Sequence, residues 1–295
     1  MKIYTTTQST LAHQIRAYFN ITNLNIKLTK FPDGEILVSL PETHAWETVI
    51  LIQALYKPVN DAIIQTLFAL EAIKLACVSK TILVITYLGY ARQDRLTCEN
   101  SLISCSVVCK LLCINAPTII YLLEPHSAQT VGFFSVPCLS FGLVAAMCEH
   151  ISRTQLLSSI VIVALDSGAM QRALNVSKAL GVGIICGYKR REKNQVEVTF
   201  QDEPLFKGKT GIIIDDIIDT GKSVKDAIFK LTTKLLLARV ITYCVHGVLS
   251  YGQLANVEVH VSNSIPGKNY TINVAYGISR QIKRALVHSA HSKQV

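Results

Sequence analysis

The run Gly211-Ile-Ile-Ile-Asp-Asp-Ile-Ile-Asp-Thr-Gly-Lys-Ser223 carries the clearest architectural signal in the chain. Gly211 to Ile214 has the make-up of a strand buried on both faces. It ends in two carboxylates, Asp215 and Asp216. A third, Asp219, opens a Thr-Gly-Lys-Ser turn that leads into a helical pattern over Lys222–Leu237. A turn at a helix N-terminus presents backbone N–H groups and a favourable dipole to an anion. Thr220 and Ser223 add hydroxyl donors. Carboxylates repel a phosphate, but they accept hydrogen bonds from a sugar diol beside it. A sugar phosphate therefore satisfies both halves of the segment. The Walker A pattern does not fit, because Asp216 stands where its first glycine belongs.

Working outward, strands alternate with helices. Short apolar or β-branched runs predict strands at Thr48–Leu55, Lys80–Tyr87, Pro117–Leu123, Ser159–Leu165, Gly183–Cys186, Val240–Val245 and Val257–Val261. Helical spacing predicts helices at Asp61–Cys77, with Asp61 as N-cap, and at Ser101–Cys113, Gly168–Leu180 and Gly277–His288. This order predicts parallel sheets covered on both faces, in two α/β domains, 1–143 and 144–295, with the C-terminal helix packing back on the first. Ligands in such sheets sit beyond the C-terminal ends of the strands.

Composition narrows the classes. The chain has 295 residues, half of them apolar and 17% charged, which excludes disorder throughout. Fifteen Gly and eight Pro exclude collagen-like and low-complexity sequence. Mean hydropathy is +0.36, yet the most apolar stretch, Leu235 to Ser250, is interrupted by Arg239 and His246. No membrane span and a cytoplasmic location are expected. Cys105, Cys109 and Cys113 share one helical face and are read as small core hydrophobes. Reduced thiols suit that compartment. The net charge of +9 favours anionic partners. The basic residues are scattered, so phosphorylated metabolites are expected rather than nucleic acid.

The 211–223 segment resembles the phosphoribosyl-pyrophosphate-binding loop of type I phosphoribosyltransferases and of ribose-phosphate pyrophosphokinases. Other segments favour the second family. Phe31-Pro-Asp-Gly-Glu35 resembles the loop those kinases use for ATP, and Gly89-Tyr-Ala-Arg-Gln-Asp-Arg95 their second nucleotide loop. Gly132-Phe133-Phe134 follows His126 at the family's spacing, and Lys189-Arg190-Arg191 resembles the start of their flexible catalytic loop. The motifs run in the family's order from about Lys2 to Ile282, and the chain is identified as a member of the ribose-phosphate pyrophosphokinase family.

That resemblance implies an α/β fold of two tandem type I phosphoribosyltransferase-like domains with mostly parallel sheets flanked by helices. It implies transfer of pyrophosphate from ATP to the anomeric hydroxyl of ribose 5-phosphate, giving phosphoribosyl pyrophosphate and AMP for nucleotide biosynthesis. Asp215, Asp216, Asp219, Thr220, Gly221, Lys222 and Ser223 would bind ribose 5-phosphate. Phe31, Asp33, Gly34, Glu35, Arg92, Gln93 and Asp94 would bind ATP. Lys189 and Arg191 would act on the transferring phosphates. His126, Glu124 and Asp166 would hold Mg2+, with Glu124 and His126 on one face of an extended segment. The ATP loop comes from a neighbouring subunit in the family, which implies a homo-oligomer, dimer or hexamer.

The chain departs from the family at Glu124, where aspartate is usual, at Ala169 for glycine, at Lys222, and in the nearly uncharged Leu96-Thr-Cys-Glu-Asn100. These departures keep open a weakened homologue that regulates an active partner. A phosphoribosyltransferase is the third reading.

Overall fold

The structure is a computed structural model. It describes all residues except 7–9, 22–24, 42, 193–194, 201–203, 253, 268 and 292–295, and, within the strands and helices, omits the side chains of 189–192, 195–197 and 287–291. The chain divides into two compact units. The first comprises Met1–Gly142, Ser264–Pro266 and Val274–Val295; the second comprises Leu143–Asn263 and Gly267–Asn273.

In the first unit the order is β1 (Lys2–Tyr4), α1 (Thr10–Tyr18), β2 (Lys27–Lys30), β3 (Ile36–Ser39), β4 (Thr48–Ala54), α2 (Val59–Leu75), β5 (Lys80–Tyr87), α3 (Ser104–Leu112), β6 (Ile119–Leu123) and β7 (Cys138–Phe141). Five of the strands form a parallel sheet in the order β1-β4-β5-β6-β7, while β2 and β3 make a separate antiparallel hairpin. In β5 every residue from Ile82 to Tyr87 is buried, as expected of a strand covered on both faces. Leu83 and Ile85 pack with Leu70 and Ile73 of α2 and with Cys105, Cys109 and Leu112 of α3. The three-cysteine face is thus part of a hydrophobic core, and all nine cysteines are free thiols.

In the second unit the order is α4 (Val144–Thr154), β8 (Ile160–Ala164), α5 (Ser167–Leu180), β9 (Ile184–Glu192), β10 (Gln195–Phe200), β11 (Thr210–Ile218), α6 (Lys222–Thr233), β12 (Arg239–Gly247) and β13 (Glu258–Val261). Its six-stranded sheet runs β10-β9-β8-β11-β12-β13 and is parallel except for the β9–β10 hairpin. The last helix, α7 (Ala275–His291), belongs to the first unit, where Lys80 Nζ donates to the Ala285 carbonyl at 3.0 Å. Among the described residues, no helix is long and apolar enough to cross a membrane.

Several elements differ from the sequence pattern in extent. Helix α2 starts at Val59, so Asp61 is not its N-cap; Pro58 is, and Asp61 lies in the first turn, where its charge favours the helix dipole. Helix α6 ends at Thr233 rather than Leu237. Strand β9 continues to Glu192, because Lys189, Arg190 and Arg191 pair with Val198, Glu197 and Val196 of β10. Strand β11 runs on through both carboxylates to Ile218, pairing Asp215 with Cys244 and Ile217 with His246.

Candidate active site

In the second unit, the C-terminal ends of β8 and β11 lie side by side, Val163 opposite Ile213. This places Asp166, just past β8, beside the Asp215–Asp216 pair. Asp166 is the N-cap of α5, and its Oδ1 accepts from the Ala169 N–H at 2.9 Å. Ala169 is buried, so its methyl group lies inside the packing and not at the open strand end. Asp215 Oδ1 accepts from the Asp216 N–H at 2.9 Å. Burial, then the adjacent Asp216 charge, push the Asp215 carboxyl well above the usual carboxylate range; Asp166 adds to the effect. Asp215 still keeps some exposed surface, whereas Asp216 is buried. Two carboxylates so placed gain from hydrogen-bond donors or a cation.

The turn that follows is built for close approach. Asp219 Oδ1 accepts from the Ser250 N–H at 3.1 Å, fixing the turn to the loop after β12. Gly221 caps α6 in the left-handed region at φ 70, and a Cβ there would fall 2.3 Å from Leu254 Cδ1. Gly221 has no side chain to cap the helix, the Lys222 N–H donates only a long 3.5 Å bond to Thr220 Oγ1, and Thr220, Lys222 and Ser223 are exposed around the first turn. A helix start this open, flanked by hydroxyls and an ammonium, has the donors and dipole that an anion would use. Next to it in the same unit, β9, paired with β10, carries the backbones of Lys189 and Arg191; their side chains lie outside the described residues.

In the first unit, the tip of the β2–β3 hairpin holds Phe31 to Glu35. Glu35 and Phe31 close the turn, with the Phe31 N–H donating to the Glu35 carbonyl at 2.8 Å. Gly34 has φ 95, which suits glycine. Asp33 Oδ1 accepts from the Glu35 N–H at 3.0 Å, so part of this carboxylate shapes its own turn. All five residues are exposed.

The loop after β5 passes close to α2, and a Cβ on Gly89 would fall 2.7 Å from the Leu55 carbonyl oxygen. Arg92 and Gln93 are exposed, whereas Asp94 is buried. Gln129 Nε2 donates to both the backbone oxygen and Oδ2 of Asp94, each at 2.9 Å. Ser104 Oγ donates to Gln93 Oε1 at 2.6 Å. The Asp94 carboxylate thus faces protein, and Gln129 ties this loop to the segment that follows His126. Phe134 is buried in the core, which gives Gly132-Phe133-Phe134 a packing role.

Strand β6 ends at Leu123, and Glu124 adopts φ 38. The strand alternation therefore stops before Glu124, and it does not put Glu124 and His126 on one extended face, contrary to the expectation from their spacing. Glu124 Oε2 lies where a Cβ on Gly142 would come within 2.6 Å, so this carboxylate is turned toward the end of β7. His126 is exposed. Among the described residues, no three or more His, Cys, Asp and Glu side chains cluster in a metal-binding arrangement.

Gln129, Ser104 and Ser250 escaped the sequence reading. Gln129 carries a signal, lying three residues after His126; a main-chain donor such as that of Ser250 leaves none.

The second unit thus presents a strand ending in paired carboxylates, followed by a helix that starts at a glycine. Residues 140–280 match the model of the phosphoribosyl transferase domain, and residues 1–115 match the N-terminal domain of ribose phosphate pyrophosphokinase. A ribose-phosphate pyrophosphokinase of Aquifex aeolicus is 30% identical, over 95% of this chain and 93% of the relative. One from Halalkalibacterium halodurans is 30% identical over 99% and 96%. The crystal structure of phosphoribosylpyrophosphate synthetase from Mycobacterium smegmatis superposes with a TM-score of 0.86 at 23% identity, covering 97% of this chain and 99% of that one, which shows a shared fold. The chain belongs to the ribose-phosphate pyrophosphokinase family.

Proposed function

We propose that the chain is an active ribose-phosphate pyrophosphokinase in nucleotide biosynthesis. The anomeric hydroxyl of ribose 5-phosphate attacks the β-phosphorus of ATP, the bridge to the α-phosphate breaks, and AMP leaves with phosphoribosyl pyrophosphate as the product. The carrying observation is the end of β11, a crowded carboxylate pair beside a helix that starts at Gly221 with an exposed first turn. Thr220, Gly221, Lys222 and Ser223 receive the 5-phosphate, with Asp219 holding their turn in place. Asp215 and Asp216 accept from the ribose hydroxyls. Such transfers depend on positioning and charge neutralisation more than on covalent catalysis. Lys189 and Arg191 take that role, neutralising charge that develops on the transferring phosphates.

Phe31, Asp33, Gly34 and Glu35 receive the adenine end of ATP, and Arg92 and Gln93 its phosphates, with Asp94 setting their loop. The exposure of the whole 31–35 tip supports a homo-oligomer, dimer or hexamer, in which a second copy completes the site. Asp166 in the second unit, and His126 in the first, would be the residues to offer Mg2+ a donor, with Glu124 contributing only if it turns. Magnesium keeps several waters and binds through one or two carboxylates plus substrate phosphates, which suits a single carboxylate such as Asp166. It would supply charge neutralisation on the ATP phosphates. Nine free thiols support a cytoplasmic location, and the scattered basic residues favour small phosphorylated partners over nucleic acid or a membrane. The orientation of Glu124 favours the weakened regulatory homologue as the second reading.

Phosphorus NMR of ATP, ribose 5-phosphate and Mg2+ with the purified chain tests this. The expected products are AMP and a pyrophosphoryl group on the anomeric carbon. Unchanged ATP with folded protein would leave the regulatory reading in its place.

A further inference from the structure

One buried amine in the second unit has no part in the chemistry above. Lys230 lies on α6, two turns from the helix start that receives the sugar phosphate, and it is buried. Its Nζ donates to the Val198 carbonyl of β10 at 2.9 Å and sits 3.1 Å from Asp226 Oδ2, one turn back on its own helix. Burying a lysine is costly unless the ammonium is paired and hydrogen-bonded. Here one of those partners is a main-chain oxygen on the edge strand of the sheet. Val198 is itself buried, and its register partner across the hairpin is Lys189.

The base of this hairpin is fixed separately. Gly187 pairs with Phe200, and a Cβ on Gly187 would fall 2.7 Å from the Leu165 carbonyl and 2.8 Å from that of Ala164. Lys230 grips the hairpin two residues nearer its tip, at the level of Lys189.

We propose that Lys230 is a positioning residue for pyrophosphate transfer. It fastens β10, and with it the backbone of Lys189, to the helix whose first turn holds the sugar phosphate. One rigid helix then sets the place of the acceptor sugar and the level of the basic hairpin. This rests on the roles given above to Lys189 and the 219–223 turn. A flexible hairpin would still allow sugar binding but would misplace the charges needed during transfer, so the deficit belongs in kcat.

The test compares Lys230→Met, which keeps stem length without the donor, with Asp226→Asn, which removes the ion pair but leaves the bond to Val198. Lys230→Met is expected to lower kcat by roughly 10- to 100-fold, the range for losing a buried charge-assisted hydrogen bond. KM for ribose 5-phosphate should stay within about three-fold. Hydrogen exchange of residues 187–200 should rise while that of β8 and β12 is unchanged. Asp226→Asn should change kcat less than about three-fold, as a partly exposed pair predicts. An unchanged kcat in folded Lys230→Met would overturn the proposal. So would equal losses in both variants, or a loss shared equally by sugar binding and every strand. If Lys230→Met does not fold, wild-type exchange decides: residues 198–200 as protected as α6 support the anchor, and exchange at solvent-loop rates contradicts it. Lys189→Ala, measured alongside, separates the two claims. Full activity there would remove the catalytic role of the hairpin, while the exchange data would still report on the anchor.

Discussion

At the strand ends of the second unit, Asp216 is buried, Asp215 is pushed toward its neutral form, and Asp215 and Asp219 are tied to neighbouring main chain. In the first unit, Phe31, Asp33, Gly34 and Glu35 stand in solvent on a hairpin outside the parallel sheet, and of the charged residues in the nucleotide loop only Asp94 is buried. The difference teaches where preorganisation is stored. The end of β11, the proposed sugar-phosphate side, is set by contacts within its own unit. The 31–35 tip and the 89–95 loop, the proposed ATP side, are held only locally, by turn hydrogen bonds and by Gln129.

The sharpest way to break this contrast is at Gly221. Gly221→Ala places a methyl group against Leu254 and forces a left-handed backbone, a cost of about 1–3 kcal/mol. Ribose 5-phosphate affinity should fall at least about ten-fold by calorimetry, with ATP affinity nearly unchanged. Equal losses for both ligands would erase the distinction between the units.

Asp216→Asn tests the stored electrostatic strain. A carboxyl whose folded pKa is raised binds its proton more tightly in the folded state than in the unfolded chain. Stability is therefore full below the unfolded value of about 3.9 and falls as pH rises through the raised folded value. Removing the Asp216 charge should raise stability by about 1 kcal/mol at pH 8 and leave it nearly unchanged at pH 4. The same variant should bind ribose 5-phosphate more weakly. In the wild type, sugar hydroxyls that donate to Asp215 favour its ionised form, so binding near neutral pH should release protons. Calorimetry in two buffers of different ionisation enthalpy measures this, and proton uptake would contradict the assignment.

The smallest effect is expected in the first unit. Gln129→Ala frees the Asp94 loop and should raise KM for ATP by roughly three- to ten-fold, the value of one or two hydrogen bonds. Sugar affinity should not move, as a titration of both ligands would show.

Much of this layout was legible in residue order. Lys80–Tyr87 is a strand over its full expected length, because a continuous β-branched run has few alternatives. Two α/β repeats and the family motifs led to the fold and family that the comparisons bear out. The hairpin around Lys189 was not legible, because Lys189-Arg190-Arg191 has the composition of a solvated turn and its pairing depends on β10, outside any local pattern. Spacing also misplaced Glu124. An i, i+2 rule holds only while the chain stays extended, and the backbone leaves that region one residue after Leu123. Lys230 looked like any helical lysine, since its burial is created by an edge strand thirty-two residues earlier.

The most direct test is AMP formation from ATP and Mg2+, with and without ribose 5-phosphate, in wild type and Lys189→Ala. The account predicts AMP that depends on the sugar and falls by roughly 10²- to 10³-fold in the variant, as for loss of a transition-state charge stabiliser. AMP formed without sugar, or an undiminished rate in folded Lys189→Ala, would contradict it.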